Sequence, residues 1–510
     1  MTAALELARF GISVRIIEKM SAPATTSRAI TVQPRTLELM ELRGKADEFV
    51  RSGNFGLGGS VYGGGKRVFR LDFSHIDSRY QYELFISQAE TERILLEALM
   101  KENVEVERGV EMISFSQDSS GVKAVLRHKN GIIEEVMASY LIDAEGAHSI
   151  ARNSLGLQFQ GKTFDENYAL GDLYIDGDLP SSDFHVFSSS HGFMGLFPLN
   201  SSRFRMIASN PLSQPSKDTA PSLEELQTIY DQRSHIPARF HNLTWSSWFR
   251  INSRMVEHLN VGRVFLGGDT AHIHSPAGGQ GMNTGIQDMV NLGWKLAFVL
   301  KGQAREKLLD TYEQDRLPVI HDLLTKTDGL TEIIGTENPI IRSLFNHLAP
   351  WIVGADVVQQ NSTARLSQLS LGYRHSPLSV HHGHGGSLHA GDRIPDFPLQ
   401  VVRAGGVKEN QTLFHLLNPS RFTLFLVGIS DASIHAQISE QLAPWHELIE
   451  GIQIEAPNSE LEYKRFQDYL GSKPAMLLIR PDGYIGFRCE EHFESELAKY
   501  CSEWLLPSSK

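Results

Sequence analysis

Cysteine is almost absent from this chain of 510 residues. Its two thiols, Cys489 and Cys501, lie near the C-terminus, and no CxxC pair is present. Two thiols cannot form a disulfide scaffold for so long a chain, so that class of protein is excluded. The simplest interpretation is a pair of packed thiols in the reducing cytoplasm.

Basic segments and long apolar runs are also missing. The formal net charge is −12 and no basic run stands out, which argues against a nucleic-acid partner. The longest apolar candidate, Leu292 to Leu300, contains Lys295 and falls short of the ~20 apolar residues that a membrane span needs. Because Glu6 and Arg9 interrupt the N-terminal segment, it is not typical of a signal peptide. We therefore expect no membrane span.

A phosphate-binding GxGxxG loop is a third absence. Thr2 to Phe10 has helical composition, and Ile12 to Ile17 is a β-branched run that ends at Glu18. A helix, a strand and an acid form the second half of a βαβ unit, so its first strand and glycine-rich turn are expected before Met1. Gly56 to Gly65 cannot replace that turn, because its glycine spacing is wrong. A start codon assigned too far downstream explains the missing GxGxxG loop best. The alternative is a truncated chain that binds its ligand poorly.

The most informative segment present is GGDTAHIHSPAGGQGMN, from Gly267 to Asn283, which follows the strand-like run Arg263 to Leu266. Asp269 is thereby predicted at the carboxyl end of a strand, where ligands bind in open α/β sheets. The glycines that follow let the backbone approach a flat ligand closely. The helix predicted from about Asn283 begins with unpaired N–H groups and a partial positive charge, which suits a ring that becomes anionic on reduction.

These seventeen residues resemble the second FAD motif of the aromatic-ring hydroxylases, the family that includes para-hydroxybenzoate hydroxylase and phenol hydroxylase. The resemblance implies that Asp269 binds the ribitol chain of FAD. It also implies that the loop and the helix start hold the pyrimidine edge of the flavin, through Gly279, Gly281, Met282 and Asn283. Pro276 would face the flavin and shape the oxygen site, and no catalytic residue is otherwise assigned.

Shorter segments agree with this resemblance. Glu18 matches the family's acid that binds the adenosine ribose, Arg28 in SRAITVQPRTLELM matches an arginine that contacts FAD, and Gln88 in ISQAETERILLEAL matches another FAD contact. Taken alone, each of the three also fits an ordinary surface or helix-flanking residue.

A further segment, DAEGAHSIAR, resembles the family's DG motif, which supports the flavin and nicotinamide pyrophosphates. It supplies Asp143, Gly146 and Arg152, but Glu145 stands where the family has aspartate. Charge and acceptor capacity survive this replacement, whereas the extra methylene shifts the carboxylate.

The C-terminal part resembles the thioredoxin-like appendage of phenol hydroxylase and of polyketide-tailoring hydroxylases. The matching segments are GDRIPDFPL, Gly391 to Leu399, and LLIRPDGYIGFR, Leu477 to Arg488. Without CxxC, we expect a structural or interface role there rather than dithiol chemistry.

The implied fold is α/β, of mixed α+β character, in three parts. We expect a Rossmann-like FAD-binding domain without its first strand, an antiparallel-sheet substrate domain, and a thioredoxin-like domain. Their predicted bounds are 1–167 with 252–370, 50–85 with 168–251, and 391–510, and residues 371–390 are predicted to be a linker. The linker is rich in glycine, proline and histidine without carboxylate or cysteine partners, so no metal site is expected.

The resemblance also implies a reaction. NADPH or NADH reduces FAD, oxygen adds to give the flavin C4a-hydroperoxide, and one oxygen atom is transferred to a phenolic or polycyclic aromatic substrate. A side chain that helps to deprotonate a phenol is sought in the substrate sheet, among Tyr82, His185 and His191. A non-catalytic paralogue with a binding or scaffold role, and another flavin oxidoreductase of this fold, stay open as alternatives. The oligomeric state is open too, a dimer included.

Overall fold

A computed structural model gives the fold and describes residues 1–24, 29–209, 219–275, 278–335, 356–491 and 493–508. Arg28 and Pro276 lie outside these residues. As far as residue 154, the elements are α1 (Thr2–Arg9), β1 (Ile16–Glu18), β2 (Thr31–Val32), α2 (Pro34–Leu42), α3 (Ala46–Ser52), β3 (Asn54–Gly56), β4 (Gly58–Gly63), β5 (Lys66–Asp72), β6 (Glu83–Phe85), α4 (Gln88–Lys101), β7 (Val106–Arg108), β8 (Val110–Gln117), β9 (Val122–His128), β10 (Ile133–Ala138), β11 (Leu141–Asp143) and α5 (Ile150–Ser154).

The remaining elements follow in chain order. They are β12 (Gln160–Gly177), β13 (Asp183–Ser189), β14 (Gly192–Pro198), β15 (Arg203–Ser209), α6 (Leu223–Arg233), β16 (Ala238–Met255), β17 (Asn260–Val261), β18 (Val264–Leu266), β19 (His272–Ile273), α7 (Gly281–Leu300), α8 (Asp310–Gly335), α9 (Asp356–Leu366), β20 (Val380–His382), β21 (Pro398–Val402), β22 (Lys408–Thr412), β23 (Phe422–Val427), α10 (Ala432–Leu442), β24 (Ile449–Glu455), α11 (Glu460–Leu470), β25 (Ala475–Ile479), β26 (Ile485–Cys489) and α12 (Phe493–Trp504).

Parallel strand pairs form the Rossmann-like part. β1 pairs with β7, and β11 pairs with β18, which β17 joins in antiparallel fashion. Within the described ranges these are two separate sheets. The strand predicted from Ile12 to Ile17 is observed only from residue 16, because β7 pairs only with residues 16–18. Helix α1 packs closely on α7, since a Cβ atom at Gly293 would lie 2.5 Å from Cβ of Glu6.

An eight-stranded sheet, in the order β19-β16-β12-β15-β14-β13-β4-β5, forms the second part. All its neighbours are antiparallel except β13 and β4, so the predicted antiparallel sheet is confirmed. Helix α6, which the sequence analysis missed, covers one face of this sheet and packs Leu226 and Tyr230 into its core. Its sequence signal is a capping box, in which Ser222 and Glu225 bond reciprocally at the helix start.

A small antiparallel sheet of β2, β6 and β3, called the small sheet below, connects these two parts. Val32 and Leu84 face the core of the Rossmann-like part. Because neighbouring residues of a strand point to opposite faces, Thr31, Glu83 and Phe85 lie on the other face.

The C-terminal part is a seven-stranded sheet in the order β20-β26-β25-β23-β24-β21-β22, which carries α10, α11 and α12. The segment 371–390, predicted to be a linker, belongs to this packed structure instead. Its strand β20 pairs in parallel with β26, and Tyr373 and Leu378 are buried. Apolar contacts and strand pairing thus outweigh the glycine-rich composition of the segment.

Among the residues that the structure describes, none of the helices combines the length and the apolarity that crossing a bilayer requires. No group of three histidine, cysteine, aspartate or glutamate side chains in those ranges is arranged to hold a metal ion.

Candidate active site

The segment after β18, residues 267–269, is a tight turn against the start of α7 and is called the GGD turn below. Gly267 N–H donates to the Asp143 carbonyl at 3.2 Å, which ties the end of β18 to the end of β11. Gly268 has φ +59°, in the left-handed region, and a Cβ atom at Gly285 would lie 3.1 Å from its Cα. Asp269 lies at the carboxyl end of the strand, as predicted, and is exposed.

The glycine loop, residues 278–281, leads into α7. Gly278 and Gly279 have φ +81° and +62°, and a Cβ atom at Gly279 would lie 2.8 Å from Thr31 Oγ1. Within the described residues, the cap residue Gln280 makes no side-chain capping bond, and the start of α7 is the positive end of the helix dipole. A narrow glycine loop, a bare helix start and an exposed aspartate fit the flavin and ribitol of FAD.

Asn283 holds this loop in place with its whole side chain. Its Nδ2 donates to the carbonyls of Thr31, at 2.8 Å, and Gly279, at 2.9 Å, and its Oδ1 accepts from Gln33 N–H at 2.9 Å. The residue is fully buried. Met282 packs against the core of the Rossmann-like part. At both positions the main chain is therefore the part that can face a ligand.

The DG segment follows β11 and folds onto itself. Asp143 is 2% exposed, and its carboxylate accepts from Glu145 N–H at 3.0 Å and from the Ser149 hydroxyl. Burial raises the pKa of Asp143. The Glu145 carboxylate accepts from Ile150 N–H at 2.8 Å, so it caps the start of α5.

Thr270, which the sequence analysis did not single out, joins the DG and GGD segments. Gly146 N–H donates to Thr270 Oγ1 at 2.8 Å, and Arg152 Nη1 donates to the Thr270 carbonyl at 3.0 Å. Arg152 is buried, also donates to Ala147 O at 2.6 Å, and lies 4.2 Å over the Phe159 ring. The structure therefore brings the two predicted motifs together through Thr270, with Arg152 as a positioning residue.

Glu18 and Gln88 lie at the ends of elements, as the sequence analysis expected. Glu18 ends β1, is half-buried and accepts from Met20 N–H at 2.8 Å. Gln88 begins α4, donates to Glu92 at 2.8 Å and accepts from Ala29 N–H at 3.4 Å. Arg28 and Pro276 lie outside the described residues, so their predicted roles have no structural account.

A buried ionic network lies behind the GGD turn. Asp288 of α7 contacts His272 Nε2 at 2.8 Å, Arg316 Nε of α8 at 2.7 Å and Gly268 N–H at 3.2 Å. Arg316 in turn donates to the Tyr373 hydroxyl at 2.9 Å. Burial alone would raise the pKa of Asp288, but Arg316 and His272 outweigh burial and lower it to about 2. Sequence reasoning missed this network; its signal is a pair of charged residues, Asp288 and Lys295, on a helix rich in apolar residues.

The side chains proposed for phenol deprotonation do not come together. His185 is fully buried. Its Nε2 donates to Pro180 O at 2.9 Å, and its Nδ1 lies 3.3 Å from the Tyr62 hydroxyl oxygen. It shares its face of the sheet with Phe187, which packs on α6. Burial lowers the pKa of His185. His191 is exposed in the β13–β14 turn, and the Tyr82 ring lies tilted against the Phe55 ring, with the ring centres 4.6 Å apart.

The other face of the eight-stranded sheet is aromatic. Phe184 and Phe197 lie 6.0 Å apart, and Phe85 of the small sheet lies 6.4 and 6.2 Å from them. These three rings, called the aromatic face below, lie on the side of the small sheet that carries Thr31, which contacts the glycine loop. Phe85 and Phe184 are buried here in an apolar cluster with Leu71, Phe73 and Leu369.

Comparisons with known proteins agree along the chain. Residues 1–327 match the family model described as FAD binding domain, and residues 387–507 match the one described as aromatic-ring hydroxylase, C-terminal. The chain is 33% identical over 503 residues to the 6-methylpretetramide 4-monooxygenase of Streptomyces rimosus, covering 95% of this chain and 88% of the relative. It is 31% identical over 507 residues to the pentachlorophenol 4-monooxygenase of Sphingobium chlorophenolicum, covering 96% and 91%.

A solved structure of an anhydrotetracycline hydroxylase from Streptomyces rimosus gives a TM-score of 0.79 at 27% identity. The match covers 100% of this chain and 97% of that one. The mixed α/β fold, FAD as cofactor and NAD(P)H as electron donor, all predicted from sequence, are confirmed. The chain belongs to the FAD-binding aromatic-ring hydroxylases and is a flavin-dependent monooxygenase.

Proposed function

We propose that this monooxygenase hydroxylates a phenolic or polycyclic aromatic substrate held between the eight-stranded sheet and the glycine loop. The observation that carries the proposal is that the small sheet joins these two: its Phe85 packs against Phe184 and Phe197 of the eight-stranded sheet, and its Thr31 contacts the glycine loop. The names of the relatives, a pentachlorophenol and a 6-methylpretetramide monooxygenase, support a substrate of this class.

The proposed flavin site uses the GGD turn and the glycine loop. Asp269 would accept hydrogen bonds from the ribitol hydroxyls, and the main chain of residues 279–283 would hold the pyrimidine edge. Glu18, Arg28 and Gln88 would contact the adenosine half and the ring surroundings, as the resemblance implies. Bound FAD would supply electron transfer from NAD(P)H and the activation of oxygen.

The residues around this site have supporting roles in the proposal. The DG residues Asp143, Glu145, Gly146 and Arg152 would keep the pyrophosphate-facing loop in place through Thr270. The aromatic face would exclude water from the reacting ring, which strengthens electrostatic interactions there. The start of α7 would stabilise negative charge beside it.

The test uses the purified chain with FAD and a series of phenols of one to four rings. We expect NADPH or NADH oxidation and oxygen uptake that depend on the phenol, and a product that carries one atom from labelled oxygen. Oxidation that yields only hydrogen peroxide with every phenol would contradict the proposal and favour another flavin oxidoreductase.

A cytoplasmic location is also proposed, supported by two buried free thiols, Cys489 and Cys501. Cell fractionation tests that part.

A further inference from the structure

Gln280 carries a buried side-chain amide inside the glycine loop. The residue is 8% exposed, whereas its neighbours Gly278, Gly279 and Gly281 are half-buried. In the part of the chain that the structure describes, Gln280 Nε2 has no hydrogen-bond partner. A Cβ atom at Gly278 would lie 3.3 Å from this nitrogen. The loop therefore holds a buried hydrogen-bond donor that none of the described residues uses.

Gln368, which follows α9, meets the face of α7 that carries Gln280. Gln280, Thr284 and Gln287 follow one another at spacings of four and three residues, so they share that face. Gln368 Oε1 accepts from Gln287 Nε2 at 2.6 Å. Gln368 Nε2 donates to Thr284 Oγ1 at 3.3 Å and to Gln280 Oε1 at 3.4 Å. Both polar atoms of the buried Gln368 side chain thus have partners on α7.

The Thr284 hydroxyl sets the direction of these amides. Its single proton is donated to the Gln280 carbonyl at 2.9 Å, so its oxygen can only accept the bond from Gln368. The NH2 group of Gln368 must therefore face the start of α7, and the side chain of Gln280 must present its oxygen to that group. The NH2 group of Gln280 is thereby turned away from Gln368, toward Gly278 of the glycine loop.

The backbone of Gln368 adopts an unfavourable conformation. Its φ is +61°, in the left-handed region that glycine and asparagine adopt more readily. The residues on either side are fixed, since Ser367 O accepts from Arg35 N–H at 3.1 Å and Leu369 packs in the cluster that includes Phe85. Such a conformation persists only where the surrounding structure holds it. The packing on both sides thus keeps the Gln368 side chain against α7.

We propose that the Gln280 side-chain amide donates a hydrogen bond to the pyrimidine edge of the flavin, and that Gln368 is the residue that positions it. The inference rests on the proposed flavin site and adds a side-chain contact to the main-chain contacts proposed there. Carbonyl oxygens on that edge gain negative charge when the ring becomes anionic on reduction. A hydrogen bond to a charged acceptor is stronger than one to a neutral acceptor. Gln280 should therefore favour the binding of reduced FAD over oxidised FAD.

The experiment measures the two-electron midpoint potential of FAD bound to the purified chain, by titration without oxygen. Gln280→Met removes the NH2 group at nearly constant length, and Gln280→Lys restores an N–H donor. Gln368→Asn shortens the positioning side chain, while asparagine tolerates the left-handed backbone. The two substitutions Gln280→Met and Gln368→Asn are also combined. Gln360→Met, at an exposed glutamine on α9, is the control.

We expect Gln280→Met to reduce the ratio of the affinities for reduced and oxidised FAD by about 10-fold. That change corresponds to a midpoint potential lower by about 30 mV for a two-electron couple. Gln280→Lys should keep the potential at or above the wild-type value, and Gln360→Met should leave it unchanged. Gln368→Asn should lower it by part of the effect of Gln280→Met. The combined variant should equal Gln280→Met, because Gln368 acts only through Gln280.

An unchanged midpoint potential in Gln280→Met would overturn the flavin contact of Gln280. The positioning role of Gln368 would be overturned if the combined variant showed the sum of the two single effects. It would also be overturned if Gln368→Asn lowered only the free energy of unfolding, measured in urea, and left the potential unchanged. These results leave the proposed function intact, because phenol hydroxylation by wild type tests it separately. A wild-type chain that binds no FAD would overturn both.

Discussion

At the scale of single residues, the site contains buried side chains that fix the neighbouring backbone and an exposed side chain at its edge. Asn283 and Arg152 use their polar groups on backbone carbonyls and amides of neighbouring loops. Asp269 is exposed beside them. Replacing the first kind should reduce stability, whereas replacing the second kind should reduce ligand affinity.

Asp269→Ala should weaken FAD binding without a large loss of stability. A hydrogen bond to a charged group contributes about 1.5–3 kcal/mol, so the dissociation constant should rise by roughly 10- to 100-fold. Flavin fluorescence titration measures it. Asp178→Ala, at an exposed position between β12 and β13, is the control, and equal affinity of both variants for FAD would rule out Asp269 as a ligand contact.

Glu83→Gln should stabilise the fold, and the gain should depend on pH. The pKa of Glu83 is about 8 in the folded chain and about 4.3 in an unfolded one. Between these values the folded state binds more protons, so wild-type stability falls as the pH rises. The variant lacks that loss. Its free energy of unfolding should therefore exceed that of wild type by on the order of a few kcal/mol near pH 8 and should equal it below pH ~4. Urea unfolding at several pH values measures the difference, and a gain that does not vary with pH would contradict it.

At the scale of elements, the long helices α7 and α8 are joined by ionic groups inside an apolar layer. Asp288 and Arg316 are fully buried and paired at 2.7 Å. Removing one partner of such a pair leaves an unpaired buried charge, which costs about 3–5 kcal/mol. The same aspartate accepts from Gly268 N–H, so the Asp288–Arg316 pair also helps to hold the GGD turn in place.

Asp288→Asn should lower the free energy of unfolding by about 3–5 kcal/mol at neutral pH. It should also make that free energy less dependent on pH in the acid range. The folded pKa of Asp288 is about 2, below the unfolded value of about 3.9. Its contribution is therefore present above pH ~4 and is lost as the pH falls toward 2. Urea midpoints between neutral pH and pH 2 test this, with Asp322→Asn, an exposed aspartate on α8 paired with Lys326, as the control. The same acid loss in both variants would contradict the role of Asp288.

At the scale of the whole molecule, the C-terminal sheet is anchored in the Rossmann-like part. Arg480, from the segment before β26, donates to Asp315 of α8 at 2.8 Å, and Asp315 also accepts from Lys295 of α7 at 2.7 Å. Trp294 donates to Asp482 at 3.2 Å. Because these groups are buried, the two parts should unfold together.

Arg480→Met should destabilise both parts at once, by about 3–5 kcal/mol, since Asp482 and Asp315 lose a buried cation. Thermal unfolding is monitored by intrinsic fluorescence and by FAD release. Both signals should show one shared transition, and the substitution should move it to lower temperature. Arg403→Met, at an exposed pair with Glu409, should leave it in place. Separate transitions for the two signals would show that the parts unfold independently.

The sequence by itself determined the family, the cofactor and the positions of elements whose signals are local. The segment from Gly267 to Asn283 carries its meaning in contiguous residues, because a strand end, a glycine loop and a helix start are all short-range structures. The strand-like run from Arg263 to Leu266, for example, is observed as β18. Helix α6 was missed because strand-like alternation in the flanking residues hid its capping box.

Only the tertiary structure decided which distant side chains meet. Arg152 reaches Thr270, Asp288 reaches Arg316, and Glu83 lies across from Gln33 beside the glycine loop. The acidity of Glu83 depends on burial, and burial depends on how the small sheet packs between two larger parts. Pairing and desolvation are properties of the packed chain, so no local pattern in the sequence encodes them.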